Sequence, residues 1–199
     1  MSRMGIIVNV DECIGCHACF IACKQENQVS PNIQWNRIRK VENREKNIIN
    51  YFRASCQHCE DPACLKVCPM KAVYKGPYGE ILIDQDKCIA CKACLAACPY
   101  GMPMFNDRKL TSYYGEKQPL FSPSNPPTKN AQPGKAEHCT LCSHRLAKGK
   151  EPACVEICPA KALTLVDFDA PTEKQKKLLS KAVQLKAGVD TKPKVRYIC

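Results

Sequence analysis

The stretch CQHCEDPACLKVCPMKAVYKGPYGEILIDQDKCIACKACLAACP, residues 56–99, carries two cysteine groups a short distance apart. Cys56, Cys59, Cys64 and Cys68 form one; Cys88, Cys91, Cys94 and Cys98 form the next. Residues 69–87 between them hold MKAV, the turn formers Gly76-Pro77-Tyr78-Gly79 and then EILIDQD. That pattern predicts a short strand, a turn and a second strand. Cys68 and Cys98 are each followed by proline, which removes a backbone donor and stops a helix. Outward from this stretch, Cys13, Cys16, Cys19 and Cys23 lie upstream, and Cys139, Cys142, Cys154 and Cys158 downstream. Of the 17 cysteines, Cys199 alone joins no group and reads as a free thiol, with an intermolecular bridge as the alternative.

Disulfides, zinc and iron–sulfur clusters compete for such cysteines. An odd count, close spacing and the want of an export signal argue against disulfides. Zinc takes two ligands from each of two knuckles. The first and third groups read C-x2-C-x2-C-x3-C and do not divide that way. That run instead suits cubane clusters, where three cysteines wrap one cube and the fourth, carried off by a helix, completes another. The second, third and fourth groups end in Cys-Pro, whereas the first ends Cys23-Lys24.

The second and third groups are close enough to build one compact two-cluster module. The first and fourth then form a second module with the former inserted in it. Cross-ligation gives four expected sets. Cluster A takes Cys13, Cys16, Cys19 and Cys158. Cluster B takes Cys56, Cys59, Cys64 and Cys98. Cluster C takes Cys88, Cys91, Cys94 and Cys68. Cluster D takes Cys139, Cys142, Cys154 and Cys23. The expected fold class is α+β: two ferredoxin-like dicluster modules, one inserted into the other, with loop-rich connections. The expected divisions are 1–50 with 137–168 for the outer module and 51–106 for the inserted one. A Pro-rich loop or partner arm spans 107–136, and a helix-and-strand extension spans 169–199.

The sequence resembles the four-cluster iron–sulfur subunits of molybdopterin oxidoreductases of the dimethyl sulfoxide, polysulfide, thiosulfate and arsenate reductase type. The resemblance lies in CIGCHACFIACKQEN (13–27), CQHCEDPACLKVCPMKAV (56–73), DKCIACKACLAACPYG (86–101) and HCTLCSHRLAKGKEPACVEICPAKAL (138–163). Arg145 and Gly149 lead into the last Pro-Ala-Cys. Some relatives carry Trp at the second cysteine of the third group and bind a three-iron cluster; Cys91 here implies four [4Fe–4S] clusters. The resemblance also implies a large molybdopterin-binding (Mo or W) catalytic subunit as partner, and a quinone-linked membrane anchor as a second. An equivalent relay in a formate dehydrogenase or hydrogenase complex is the alternative, and a zinc-binding nucleic-acid module a distant one.

The formal net charge of +11 invites a nucleic-acid or membrane-surface reading. Sixteen thiolates and four oxidised cores bring it to about +3, and one electron on each core to about −1. Lys24, Lys66, Lys71, Lys87, Lys92, Arg145 and Lys161 neighbour the cysteines in sequence and are expected to balance cluster charge, or else to be solvated. No nucleic-acid partner is therefore expected.

Residues 24–50 read as a solvated connector, with Trp35 packing over a cluster module. Pro171 through Ala187 read as a helix, and Val195, Tyr197 and Ile198 as a terminal strand. His17, His58 and His138 are expected to hydrogen-bond sulfur or face solvent rather than ligate iron. No catalytic constellation is legible, so the protein is expected to be no enzyme on its own. The run Ile6-Ile7-Val8 is too short for a membrane span, and Cys13 leaves no room for a signal peptide. Membrane association through partners is expected, in the cytoplasm or after co-export to the periplasm.

Overall fold

A computed structural model describes residues 2–107, 132–186 and 188–199. In sequence order the elements are β1 (Met4–Asn9), α1 (Ala18–Asn27), β2 (Asn36–Asn43), β3 (Ile48–Ser55), α2 (Ala63–Lys66), β4 (Val73–Lys75), β5 (Ile81–Ile83) and α3 (Ala93–Ala97). There follow β6 (Met104–Phe105), β7 (Ala136–Glu137), α4 (Ser143–Leu146), α5 (Ala153–Glu156), β8 (Leu163–Asp167), α6 (Glu173–Leu179) and β9 (Val195–Ile198). Most of the expected Pro-rich loop, residues 108–131, lies outside the described residues.

β1 is the centre of a three-stranded sheet, antiparallel to β8 and parallel to β9. Both faces of its apolar run are covered. Ile6 and Val8 pack with Cys19, Cys154 and Cys158, while Ile7 on the other face packs with Val166, Ile198 and the apolar side of α6. Alternation along a strand puts these neighbours on opposite faces. α1 packs against α5, and α2 against α3. β4 and β5 form the expected hairpin, with Val73 opposite Ile83. Its turn is tight: a Cβ on Gly76 would collide with the buried Glu80 carboxylate.

Two expectations are corrected. The stretch read as a solvated connector folds into the β2–β3 hairpin, pairing Asn36 with Ser55 through to Asn43 with Ile48. Its outer half is exposed at Val41, Ile48 and Ile49, while Arg53, Ala54 and Ser55 at its base are buried. β3 also runs across the expected boundary at 50/51. The helix read over 171–187 ends at Leu179. Thr172 starts it with a reciprocal capping box to Gln175. It ends early because the backbone turns back to bond β9: Val183 and Tyr197 exchange backbone hydrogen bonds of 2.7 and 2.9 Å. The terminal strand is present as β9.

Candidate metal centres

Each cysteine loop bends the same way. The residue two after the first cysteine has positive φ: Gly15 (69°), His58 (45°), Ala90 (64°) and Leu141 (54°). A left-handed residue costs a side-chain-bearing amino acid energy and is kept where the surroundings demand it. Here the bend turns a backbone N–H back onto the first sulfur. Leu141 N donates to Cys139 Sγ at 3.4 Å, and Gly15 and His58 do the same for Cys13 and Cys56. Gly15 has a second reason to be glycine, since a Cβ there would lie 2.6 Å from the Tyr51 ring. Past each Cys-Pro the pattern recurs at Lys71, Gly101 and Lys161, all with positive φ. Ala72 N then donates to Cys68 Sγ at 3.3 Å.

Segments far apart in sequence bring thiols together. Cys23, Cys139, Cys142 and Cys154 line one cavity, with Asn27, Trp35 and Arg53 beside them. Cys68, Cys88, Cys91 and Cys94 line another. Cys13 and Cys19 face Cys158, and Cys59 and Cys64 face Cys98. Burial and like neighbours push the Cys19 and Cys94 thiols up to about 11, and those of Cys64 and Cys142 to about 12. Such thiols ionise when a cation takes them as ligands. Among the described residues no three His, Cys, Asp or Glu are placed to hold a single ion. Thiols ringing a shared space, with backbone N–H groups aimed at sulfur, suit a polynuclear group instead.

The sets adjoin in a row. Cys19 is beside Cys154, Cys56 beside Cys139, and Cys64 beside Cys94. Apolar packing bridges the junctions, and Cys23 and Cys139 share one packed group with Cys56, Cys59 and Trp35. Among the sixteen grouped cysteines only Cys16 and Cys91, at the two ends of the row, are exposed.

Trp35 is buried as expected, and its Nε1 donates to Glu137 Oε2 at 2.8 Å. Of the flanking cations only Lys24 is buried. Its amine donates to Ser30 O at 2.6 Å, and burial lowers it to about 8. Lys66 and Lys87 are exposed and pair with Asp61 and Asp84; Lys71, Lys92 and Lys161 are also exposed. Arg145 bridges Glu26 and Glu156. His58 is fully buried and accepts from Ile81 N at 3.0 Å; His138 hydrogen-bonds Cys139 O at 2.7 Å. His17, exposed, stacks edge-on against Phe20. Two residues escaped the sequence reading. Asn27 Nδ2 lies 3.7 Å from both Cys23 Sγ and Cys142 Sγ, one helical turn beyond Cys23. Arg53 Nη2 donates to Cys139 Sγ at 3.7 Å. The Cys23–Asn27 spacing on a helix was a readable signal; Arg53 offered none, because a strand arginine ordinarily faces water.

The sequence matches the 4Fe-4S dicluster domain family over residues 48–113 and 118–168, and a second family of the same description over 12–72. It is 36% identical to the arsenate respiratory reductase iron–sulfur subunit of Shewanella sp., over 98% of this protein and 96% of that one. It is 35% identical to the polysulfide reductase B polypeptide of Wolinella succinogenes, over 97% and 92%. It is 34% identical to the B polypeptide of the anaerobic dimethyl sulfoxide reductase of Escherichia coli, over 88% and 78%. With cysteine loops bent around shared cavities, and this likeness along its length, the protein belongs to the 4Fe-4S dicluster family of reductase iron–sulfur subunits, which transfer electrons rather than turn over substrate.

Proposed function

We propose that the protein holds four [4Fe–4S] clusters in a row and relays electrons along it. Cys13, Cys16, Cys19 and Cys158 would hold A, and Cys139, Cys142, Cys154 and Cys23 would hold D. Cys56, Cys59, Cys64 and Cys98 would hold B, and Cys88, Cys91, Cys94 and Cys68 would hold C. The order is A, D, B, C. The observation that carries this reading is a row of thiol sets exposed only at its ends, at Cys16 and Cys91. Apolar side chains flank those ends: Ile14 is 64% and Ile89 57% exposed. A relay needs two such contact points and an insulated middle.

Clusters, when bound, supply one-electron chemistry at each site. The polypeptide's own part is to space the sites, exclude water through the packing around Trp35 and Tyr197, and aim N–H groups and cations at sulfur. The outer module would comprise 1–50 and 137–168, with 51–106 inserted and the β2–β3 hairpin bridging the two. β1 pairing with β8 and α1 packing on α5 support the first, and α2 packing on α3 the second. The partners in this reading are a molybdopterin catalytic subunit at one end and a quinone-linked membrane subunit at the other. Among the described residues no helix is long and apolar enough to cross a membrane, so membrane association would come from that partner. Residues 107–136 would serve as a Pro-rich loop or partner arm, and 169–199 as an extension that closes the sheet.

The test is anaerobic purification of the full-length protein with iron, sulfide and zinc analysis. About sixteen irons and as many labile sulfides per molecule are expected. Stoichiometric zinc with little iron would overturn the reading. Mild purification of the native complex should recover a large pterin-binding subunit.

A further inference from the structure

Arg53 is the bulkiest side chain among the fully buried residues, at 1% exposure. It lies at the base of the β2–β3 hairpin and lines the cavity of Cys23, Cys139, Cys142 and Cys154. Its Nη2 reaches Cys139 Sγ, while Nε and Nη1 have no hydrogen-bond partner among the described residues. A guanidinium has five donors and stays charged, so burying it without an anion is strongly unfavourable. Among the described residues no carboxylate is one of its main electrostatic neighbours. Those are the sulfurs of Cys154, Cys139, Cys19 and Cys23. Three belong to the D set and Cys19 to the A set. The cation therefore lies at the junction of two sites, where its counter-charge is sulfur.

We propose that Arg53 is a potential-setting residue, raising the reduction potentials of the A and D sites above those they would have without it. The inference rests on the four-cluster reading. Its basis is Coulombic. Adding an electron makes a site more negative, and a fixed cation inside a poorly screened interior favours that state. Among the described residues no cation donates to a sulfur of B or C; Lys135, half-buried, donates its amine to the backbone carbonyl of Cys88 at 2.5 Å. Lys66, Lys87 and Lys92, nearest these two sets in sequence, are exposed to water. Lys194, buried near Cys56, donates its amine to Gly79 O and has the carboxylates of Glu60 and Glu80 as counter-charges. The row is thereby divided into an electron-holding half and a half set mainly by its backbone donors. Tyr197 holds Arg53 in place from the C-terminal strand, donating its hydroxyl to Arg53 O at 3.3 Å.

The experiment is potentiometric titration of the anaerobic full-length holoprotein, followed by low-temperature EPR. Cys16→Ser and Cys142→Ser variants mark the A and D signals. Arg53→Gln removes the charge and keeps a donor; Arg53→Lys keeps a charge on a shorter stem without the fork. The A and D potentials are expected to fall in the Gln variant, D further than A, and to fall less in the Lys variant. The B and C potentials stay at the native values in both. No shift at A and D, or an equal shift of all four signals, overturns the proposal. If the Gln variant does not assemble, Arg53→Met, which also removes the charge, is judged by the same criterion. Native iron content is measured first. A value far below about sixteen irons breaks the four-cluster reading, while the Arg53 test needs only its two sites loaded.

Discussion

The D and C thiol sets line similar cavities and live in different surroundings. Cys23, Cys139, Cys142 and Cys154 are all buried, with Arg53, Asn27 and Trp35 against them. In the C set Cys94 is buried, Cys68 and Cys88 are half-buried, and Cys91 is exposed. A cysteine motif specifies what is bound, whereas burial and nearby charge set how readily the site takes an electron or meets solvent. The D set needs two distant stretches of sequence to close, while the C set is completed within residues 68–94.

The largest expected effect breaks the D set. Cys23→Ser should alter or remove the D cluster, about four of sixteen irons at most, and leave the C signal as it was. Iron analysis with EPR decides it. Loss of the A signal, with D intact, would show that Cys23 serves its sequence neighbours Cys13, Cys16 and Cys19 and that the cross-pairing is wrong.

Next in size is a difference in lability. A hydrophilic iron chelator should bleach the C site several times faster than D, because Cys91 is open to water and every D cysteine is closed off. Signal decay followed by EPR separates the two. Equal rates would mean that the static burial difference has no bearing on access.

Trp35→Phe should then cost about 1–3 kcal/mol, seen as a lower thermal unfolding midpoint of the holoprotein. Glu137 is fully buried and its carboxyl is raised by burial; the indole N–H and Asn106 Nδ2, at 2.8 and 2.9 Å, are its donors. The D signal should broaden more than the C signal, since Trp35 lines the D cavity.

The smallest effect is expected at Glu26, which ties α1 to His144 and Arg145 at 2.7 and 2.9 Å. Burial alone would raise this carboxyl, but hydrogen bonds from His144 and Arg145 outweigh it and hold it below its ordinary value. Its folded value is depressed, so its stabilisation is complete above the usual 4.5 and is lost as pH falls through the lower folded value. Glu26→Gln should cost about 1 kcal/mol at neutral pH and nothing at strongly acid pH. Thermal unfolding at both conditions checks it.

The cysteine groups of the candidate site were readable because cluster chemistry dictates spacing. Two residues between cysteines let a loop wrap a corner, and Cys-Pro ends the helix behind it. The β4–β5 hairpin was readable from Gly76 to Gly79 for the same local reason. The β2–β3 hairpin was not, because Arg37 to Lys46 has the charge of a solvated segment and only its base is buried. The C-terminal helix was overextended because Ala182, Val183 and Leu185 continue an apolar face that tertiary contact uses otherwise. Val183 pairs with Tyr197, and Leu185 packs against the core beside Trp35.

Sequence alone determined the ligand type, the grouping of sixteen cysteines and the electron-transfer class, since these depend on short-range spacing and donor chemistry. Tertiary structure decided which cation matters. Arg53 and the seven flanking cations differ little as letters, yet Arg53 is the one placed against sulfur between two thiol sets, while Lys71, Lys92 and Lys161 face water. The physical reason is that a charge acts over distance in proportion to how poorly it is screened. Screening is a property of burial, and burial arises only when β1, β3, β8 and β9 close around the same core.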